Sequence, residues 1–237
     1  PYRTLRKLFH KDAVVALGAS PLFRASPYIQ LGAMALAAAI IPIFGSQPLL
    51  ATSADTIALV GLFAVARVFT ALAGMDIGTA FGTLGARREM LIGFLSEPAL
   101  LMVFFTASLL SQSTLLPTIV ETLAHRELAI YPSLAFAGVA FAMVLLAENA
   151  RVPIDNPSTH LELTMIHEAM VLEYSGADLA LVEWASAVKE LLFMTLLAGL
   201  FLPIGVATSL APLALAVGAL ALLAKVSALA LMVVLVE

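Results

Sequence analysis

An all-α, polytopic bundle of about six transmembrane helices is predicted for this chain, and three observations predict it. Of the 237 residues, 62% are hydrophobic and only 12% are charged, against roughly 25% charged in soluble domains. The apolar residues fall into six stretches of the length that crosses a bilayer, roughly 20 residues each. The basic residues gather in alternate connecting segments, as they do in membrane proteins.

The six stretches lie near 27–45, 55–74, 90–111, 132–149, 178–202 and 211–236. Pro42, Pro48, Pro117, Pro132, Pro203 and Pro212 sit near their ends, where a missing N–H does little harm. No internal repeat or low-complexity segment interrupts them, so residues 1–237 are read as a single membrane domain. It carries a basic segment at 1–26 and polar loops at 75–89 and 150–177. The absence of cysteine excludes disulfides and thiolate-held iron–sulfur clusters in this chain. A net charge of −4 gives no reason to expect nucleic-acid binding. Pro1 replaces an initiating methionine and Glu237 follows an apolar run directly, so both ends are expected to be truncated.

Orientation follows from the twelve Lys and Arg residues. With the N-terminal segment inside, the inner segments hold Arg3, Arg6, Lys7, Lys11, Arg24, Arg87, Arg88 and Arg151. The outer ones hold only Arg126, and Arg67, Lys189 and Lys225 lie within spans. This bias places the longer polar loops in the cytoplasm, and the bundle is expected in the inner membrane.

The most polar stretch runs from Glu148 to Glu190. It contains Glu148, Asp155, Glu162, Glu168, Glu173, Asp178, Glu183 and Glu190, with His160 and His167, against Arg151 and Lys189. Interleaved Leu, Met, Ile and Val residues make 159–173 an expected amphipathic helix or re-entrant element, after a proline-stiffened turn at 151–157. His160 and His167 lie two helical turns apart, too far to share one ion unaided, and no HExxH motif is present. A metal site is therefore not expected.

Charges inside the spans are costly. Arg67, Glu97, Lys189 with Glu190, and Lys225 make four such sites. At ~2.5–3.5 kcal/mol each they amount to about 10 kcal/mol before pairing. Two readings explain their presence: a hydrated proton or ion path, or interhelical ion pairs that fix the packing. Glu183 and Glu190 lie seven apart, on one helix face, as steps of a path would. The segment 74–89 places Gly74, Gly78 and Gly82 four residues apart, a spacing that favours close helix packing. Asp76 is expected to pair with Arg87 or Arg88.

At these motifs the chain resembles a known family. The run Glu148-Asn-Ala-Arg-Val-Pro-Ile-Asp155 and the later Leu172-Glu-Tyr-Ser-Gly176 resemble subunit 1 of respiratory complex I. The stretches 72–90 and 155–168, together with Ser96-Glu-Pro98 and the opening Pro1-Tyr-Arg-Thr-Leu-Arg-Lys-Leu8, are similar to its hydrogenase branch: the membrane-anchor subunits of formate hydrogenlyase, hydrogenase-4 and group 4 nickel–iron hydrogenases.

The resemblance implies a non-catalytic subunit of an oxidoreductase complex, without a cofactor of its own. Its expected partners are a small iron–sulfur subunit, a large catalytic subunit holding nickel and iron, and antiporter-like membrane subunits. It implies proton-path roles for Glu97, Glu148, Asp155, Glu162, Glu168 and Glu173. Glu183, Glu190, Lys189 and Lys225 extend that path by their position in the spans, and Arg87, Arg88, Arg151, His160 and His167 are the expected docking residues. Family members usually have a further helix before Pro1 and another after Glu237. The hydrogenase wording also replaces the loop that shapes the quinone chamber in complex I. Alternatives are the quinone-site subunit of a complex I-type NADH dehydrogenase, a stand-alone ion transporter, and a scaffold whose buried charges only assemble a complex.

Overall fold

A computed structural model describes residues 2–16, 18–43, 48–125, 131–155, 165–203, 205 and 211–236. Among them run α1 (Tyr2–Phe9), α2 (Pro21–Ile40), α3 (Thr56–Asp76), α4 (Ala80–Ser111), α5 (Leu116–His125), α6 (Pro132–Glu148), α7 (His167–Val171), α8 (Gly176–Phe201) and α9 (Pro212–Val236). The described residues form no strand; Asp55 and Leu115 make an isolated antiparallel bridge. The chain is an all-α membrane bundle, as expected.

Helices α3, α4, α8 and α9 are long and apolar enough to cross a membrane, and α6 is a shorter apolar helix. The remaining expected span corresponds to α2, which starts earlier, at Pro21, and ends at Ile40. A larger difference concerns α4. Thr79 caps it, accepting the Gly82 N–H at 3.3 Å on its hydroxyl and the Thr83 N–H at 3.0 Å on its carbonyl. The helix therefore starts at Ala80, and Arg87, Arg88 and Glu89 are helical rather than in a loop. Three adjacent charges broke the apolar pattern from which the span was read. At 32 residues α4 is about 48 Å long, well beyond a ~30 Å hydrocarbon core. Helix α5 had no counterpart in the expected spans.

The residues divide into two compact units. Unit one comprises 1–35, 62–96 and 146–189; unit two comprises 36–61, 97–145 and 190–237. Unit one holds ten of the twelve Lys and Arg residues, all but Arg126 and Lys225.

Small residues let backbones close up in unit one. A Cβ on Gly85 would lie 2.9 Å from the Ile166 carbonyl oxygen and 3.0 Å from the Ala169 methyl. Ala71, Ala86, Ile166 and Met170 pack there as a buried cluster. The glycine repeat brings α3 and α4 together as expected. Gly74, in the last turn of α3, and Gly82, in the first turn of α4, approach so closely that a Cβ on Gly82 would collide with the Gly74 carbonyl oxygen, while Gly78 turns between the helices at φ +74°. Asp76 accepts the Ser20 N–H at 2.8 Å, so the expected arginine pairing is replaced by a cap on α2.

The N-terminal segment is fastened to the start of α8. The Ser175 hydroxyl accepts from Val14 N–H at 2.8 Å and donates to the Val14 carbonyl at 2.9 Å. Tyr174 stacks on Phe23 at 4.1 Å and its hydroxyl donates to the Phe23 carbonyl at 2.8 Å. Burial pushes this phenol above its usual pKa, which keeps it a donor. In unit two, Phe104, Phe193 and Phe201 surround Phe141 with ring separations of 6.3, 5.9 and 5.8 Å. Asp55 accepts the Ile57 N–H at 2.8 Å and caps α3.

Gly176 has φ +56°, and a Cβ there would fall 2.7 Å from the carbonyl oxygens of Lys11 and Asp12. Gly176→Ala is expected to cost about 1–3 kcal/mol. The checks are a lower unfolding temperature in detergent and faster tryptic cleavage after Arg6, Lys7 and Lys11.

Candidate functional site

Four helices of unit one bring their charged positions to one buried point. Glu148, the last residue of α6, has no exposed side-chain surface. Its Oε1 pairs with Arg67 Nη2 from α3 and accepts the Ser96 hydroxyl of α4 at 2.6 Å. Lys189 of α8 places Nζ 3.0 Å from Oε2. Its hydrogen bond is aimed at the Glu148 main-chain carbonyl, 2.7 Å away, so contact with Oε2 is an ion pair off the bonding direction. Arg67 Nε lies 3.4 Å from Glu89 Oε1 on α4. Two cations thus face two carboxylates, and the four formal charges cancel.

Local sequence explains the geometry. Glu89, Gly93 and Ser96 recur at spacings of four and three, so they share one face of α4. Gly93 makes room for the guanidinium: a Cβ there would lie 2.8 Å from Arg67 Cδ. The left-handed Ala150, at φ +49°, ends α6, with Arg151 N–H bonding the Leu146 carbonyl at 2.9 Å and Ala150 N–H the Ala147 carbonyl at 3.4 Å. That is the Schellman pattern of a helix stop. It leaves Glu148 inside while the chain turns away through a cis Val152–Pro153 bond.

Asp155 forms a second polar centre. It is 2% exposed, and its Oδ2 accepts the N–H groups of Ile166 and His167 at 2.9 and 3.1 Å. It therefore closes the stretch 155–167 on itself and caps α7.

The other expected positions are more scattered. Arg67, expected as a costly in-span charge, joins the Glu148 cluster as an interhelical ion pair, whereas Ser96 and Glu89 were not expected there; the signal was the Glu89–Gly93–Ser96 stripe opposite an in-span arginine. Glu168 and Glu183 are exposed, whereas Glu173 and His167 are half-buried. Of the amphipathic element expected at 159–173, α7 forms His167–Val171, while 159–164 lie outside the described residues. Glu97 and Glu190 are half-buried in unit two, each next in sequence to a cluster member, Ser96 or Lys189. Lys225, half-buried on α9, donates to the Leu202 carbonyl. Arg87 is exposed, while Arg88 has a buried Nη1 without a hydrogen-bond partner among the described residues. Arg151 is half-buried. His160 and Glu162 lie outside the described residues. Among the described residues no group of three His, Asp or Glu side chains is placed to hold a metal ion.

Residues 1–237 match the NADH dehydrogenase family, of complex I subunit 1 type, along their whole length. The chain belongs to that family. Formate hydrogenlyase subunit 4 of Escherichia coli (strain K12) is 32% identical over 204 residues, covering 86% of this chain and 66% of the relative. Hydrogenase-4 component C of the same organism is 34% identical over 210 residues, covering 88% and 65%. This family member thus spans just under two thirds of the length of both relatives. A chain from the membrane-bound sulfane sulfur reductase, an archaeal respiratory membrane complex, superposes with a TM-score of 0.81 at 21% identity, covering all of this chain and 75% of its own. At that identity the likeness is one of fold.

Arg67→Met would leave Glu148 and Glu89 facing one cation fewer in a dry site. The expected destabilisation is about 3–5 kcal/mol, measured by unfolding in detergent, and partly recovered when Glu148→Gln is combined with it. Asp155→Ala is expected to cost about 1 kcal/mol. Its specific mark is faster hydrogen exchange at the Ile166 and His167 amides.

Proposed function

We propose that this chain is the membrane-anchor subunit of a group 4 nickel–iron hydrogenase or formate hydrogenlyase-type complex, docking the hydrophilic redox arm and passing protons from it into the membrane arm. The observation that carries this reading is the 32–34% identity to two hydrogenase-system subunits over more than 85% of the chain. The docking face is the side of the 149–175 connection. Positive-inside bias supports a cytoplasmic location for that side, with the bundle in the inner membrane as part of the same proposal. Arg87, Arg88, Arg151, His160 and His167 are the proposed docking residues. The partners would be a small iron–sulfur subunit, a large subunit holding nickel and iron, and antiporter-like membrane subunits.

The charge-balanced cluster supports the relay. Glu148 is fully enclosed by one residue from each of α3, α4 and α8, so a proton on it would leave the cluster with a surplus positive charge. Such a proton moves on when a neighbouring charge changes. Electron transfer close to Glu162, Glu168 and Glu173 would supply that change, with Asp155 holding the connecting segment. Glu97 and Glu190, next to Ser96 and Lys189 in sequence, are the proposed exits, with Glu183 and Lys225 as further steps.

The test is purification of the tagged full-length protein with its companions, followed by metal analysis and coupled assays. Nickel and iron are expected in the co-purified subunits. Glu148→Gln and Glu162→Gln are expected to abolish ion translocation while the redox chemistry of the arm stays measurable. Assembled variants that still translocate ions would sink the relay, and companions without nickel would favour the quinone-linked reading.

A further inference from the structure

Helix α1 has no buried residue. At 100° per residue, Tyr2, Leu5, Leu8 and Phe9 fall within an arc of about 120°, and Arg3, Arg6, Lys7 and His10 within an arc of about 100° on the other side. Tyr2 is 81% exposed and Phe9 44%. Arg3, Arg6, Lys7 and Lys11 are all exposed, and the first acidic residue is Asp12. Leu5 and Leu8 are half-buried, but among the described residues packing leaves Tyr2 and the basic face uncovered.

The position of α1 is defined. Residues 11–14 are pinned to Ser175 and Gly176, at the first residue of α8, a helix long and apolar enough to cross a membrane. Phe9 meets Trp184 edge-on at 6.5 Å. Trp184 is the sole tryptophan and is 46% exposed, roughly 12 Å along α8 from Gly176. Tryptophan and tyrosine favour the headgroup level, where the ring is in apolar surroundings and its N–H or O–H is wet. An amphipathic helix with a basic face at that level lies in the plane of the interface.

We propose that α1 is an interfacial helix seated on anionic phospholipid headgroups, with Arg3, Arg6, Lys7 and Lys11 on the phosphates and Tyr2 and Phe9 inserted beside Trp184. Four long cationic side chains without an acidic residue or a shaped pocket among them suit a fluid array of phosphates. Clusters of this size beside a membrane helix bind anionic lipid through the surface potential. The fastening at 174–176 holds the helix at that depth before lipid arrives.

The test uses the full-length protein with its co-purifying subunits in nanodiscs of phosphatidylcholine with phosphatidylglycerol. Retained phosphatidylglycerol is counted by native mass spectrometry. Arg3→Glu/Arg6→Glu/Lys7→Glu is expected to lose it on the order of tenfold or more, with subunit recovery unchanged. Arg3→Lys/Arg6→Lys, which keeps the charge, is expected to hold it, and wild-type retention is expected to fall as ionic strength rises. Retention indifferent to salt or to charge reversal would overturn the proposal, as would loss in the lysine variant. Loss of the soluble subunits with lipid retained would show instead that α1 faces protein.

Discussion

A carboxylate without exposed side-chain surface must be matched by positive charge where it stands, because isolation in a dry interior costs several kcal/mol. Glu148 meets that requirement with Arg67 and Lys189, and the requirement shapes much of unit one. It fixes the approach of α3 to α4, where Gly93 yields space to the guanidinium. It also explains why α6 stops one residue after its last apolar turn, with Ala150 held in a left-handed conformation. Four helices share one electroneutral point, so none can rotate about its axis without exposing an unpaired charge.

The membrane class and most of the spans were legible because they depend on one-dimensional quantities: apolar length and the distribution of charge. The start of α4 was not, since Arg87, Arg88 and Glu89 look like a loop to any window that scores apolarity, whereas their helical state is set by the Thr79 cap. The glycine repeat marked the close approach of Gly74 and Gly82 but not the turn between them. Spacing cannot tell a helical ridge from a turn flanked by two helix ends, and Gly78, at φ +74°, decides for the turn.

Within the site, sequence identified the costly charges but not their partners. Arg67 and Lys189 were recognisable as in-span ions, and both prove to be counterions of the same carboxylate. Ser96 and Glu89 act through distance to Arg67 and Glu148, which chain position alone does not encode. Asp155 is similar: its role is to accept two main-chain N–H groups from the far end of its own segment. The family motifs marked these stretches without indicating that one residue compensates charge and another stabilises a turn.

The Val14–Ser175 contacts join residues 161 positions apart. During synthesis, which proceeds from the N-terminus, Val14 meets this partner only once Ser175 has been made. The attachment can be completed only after the intervening helices α2 to α7 have been produced. A nascent chain interrupted before Ser175 would leave its basic segment without that fastening.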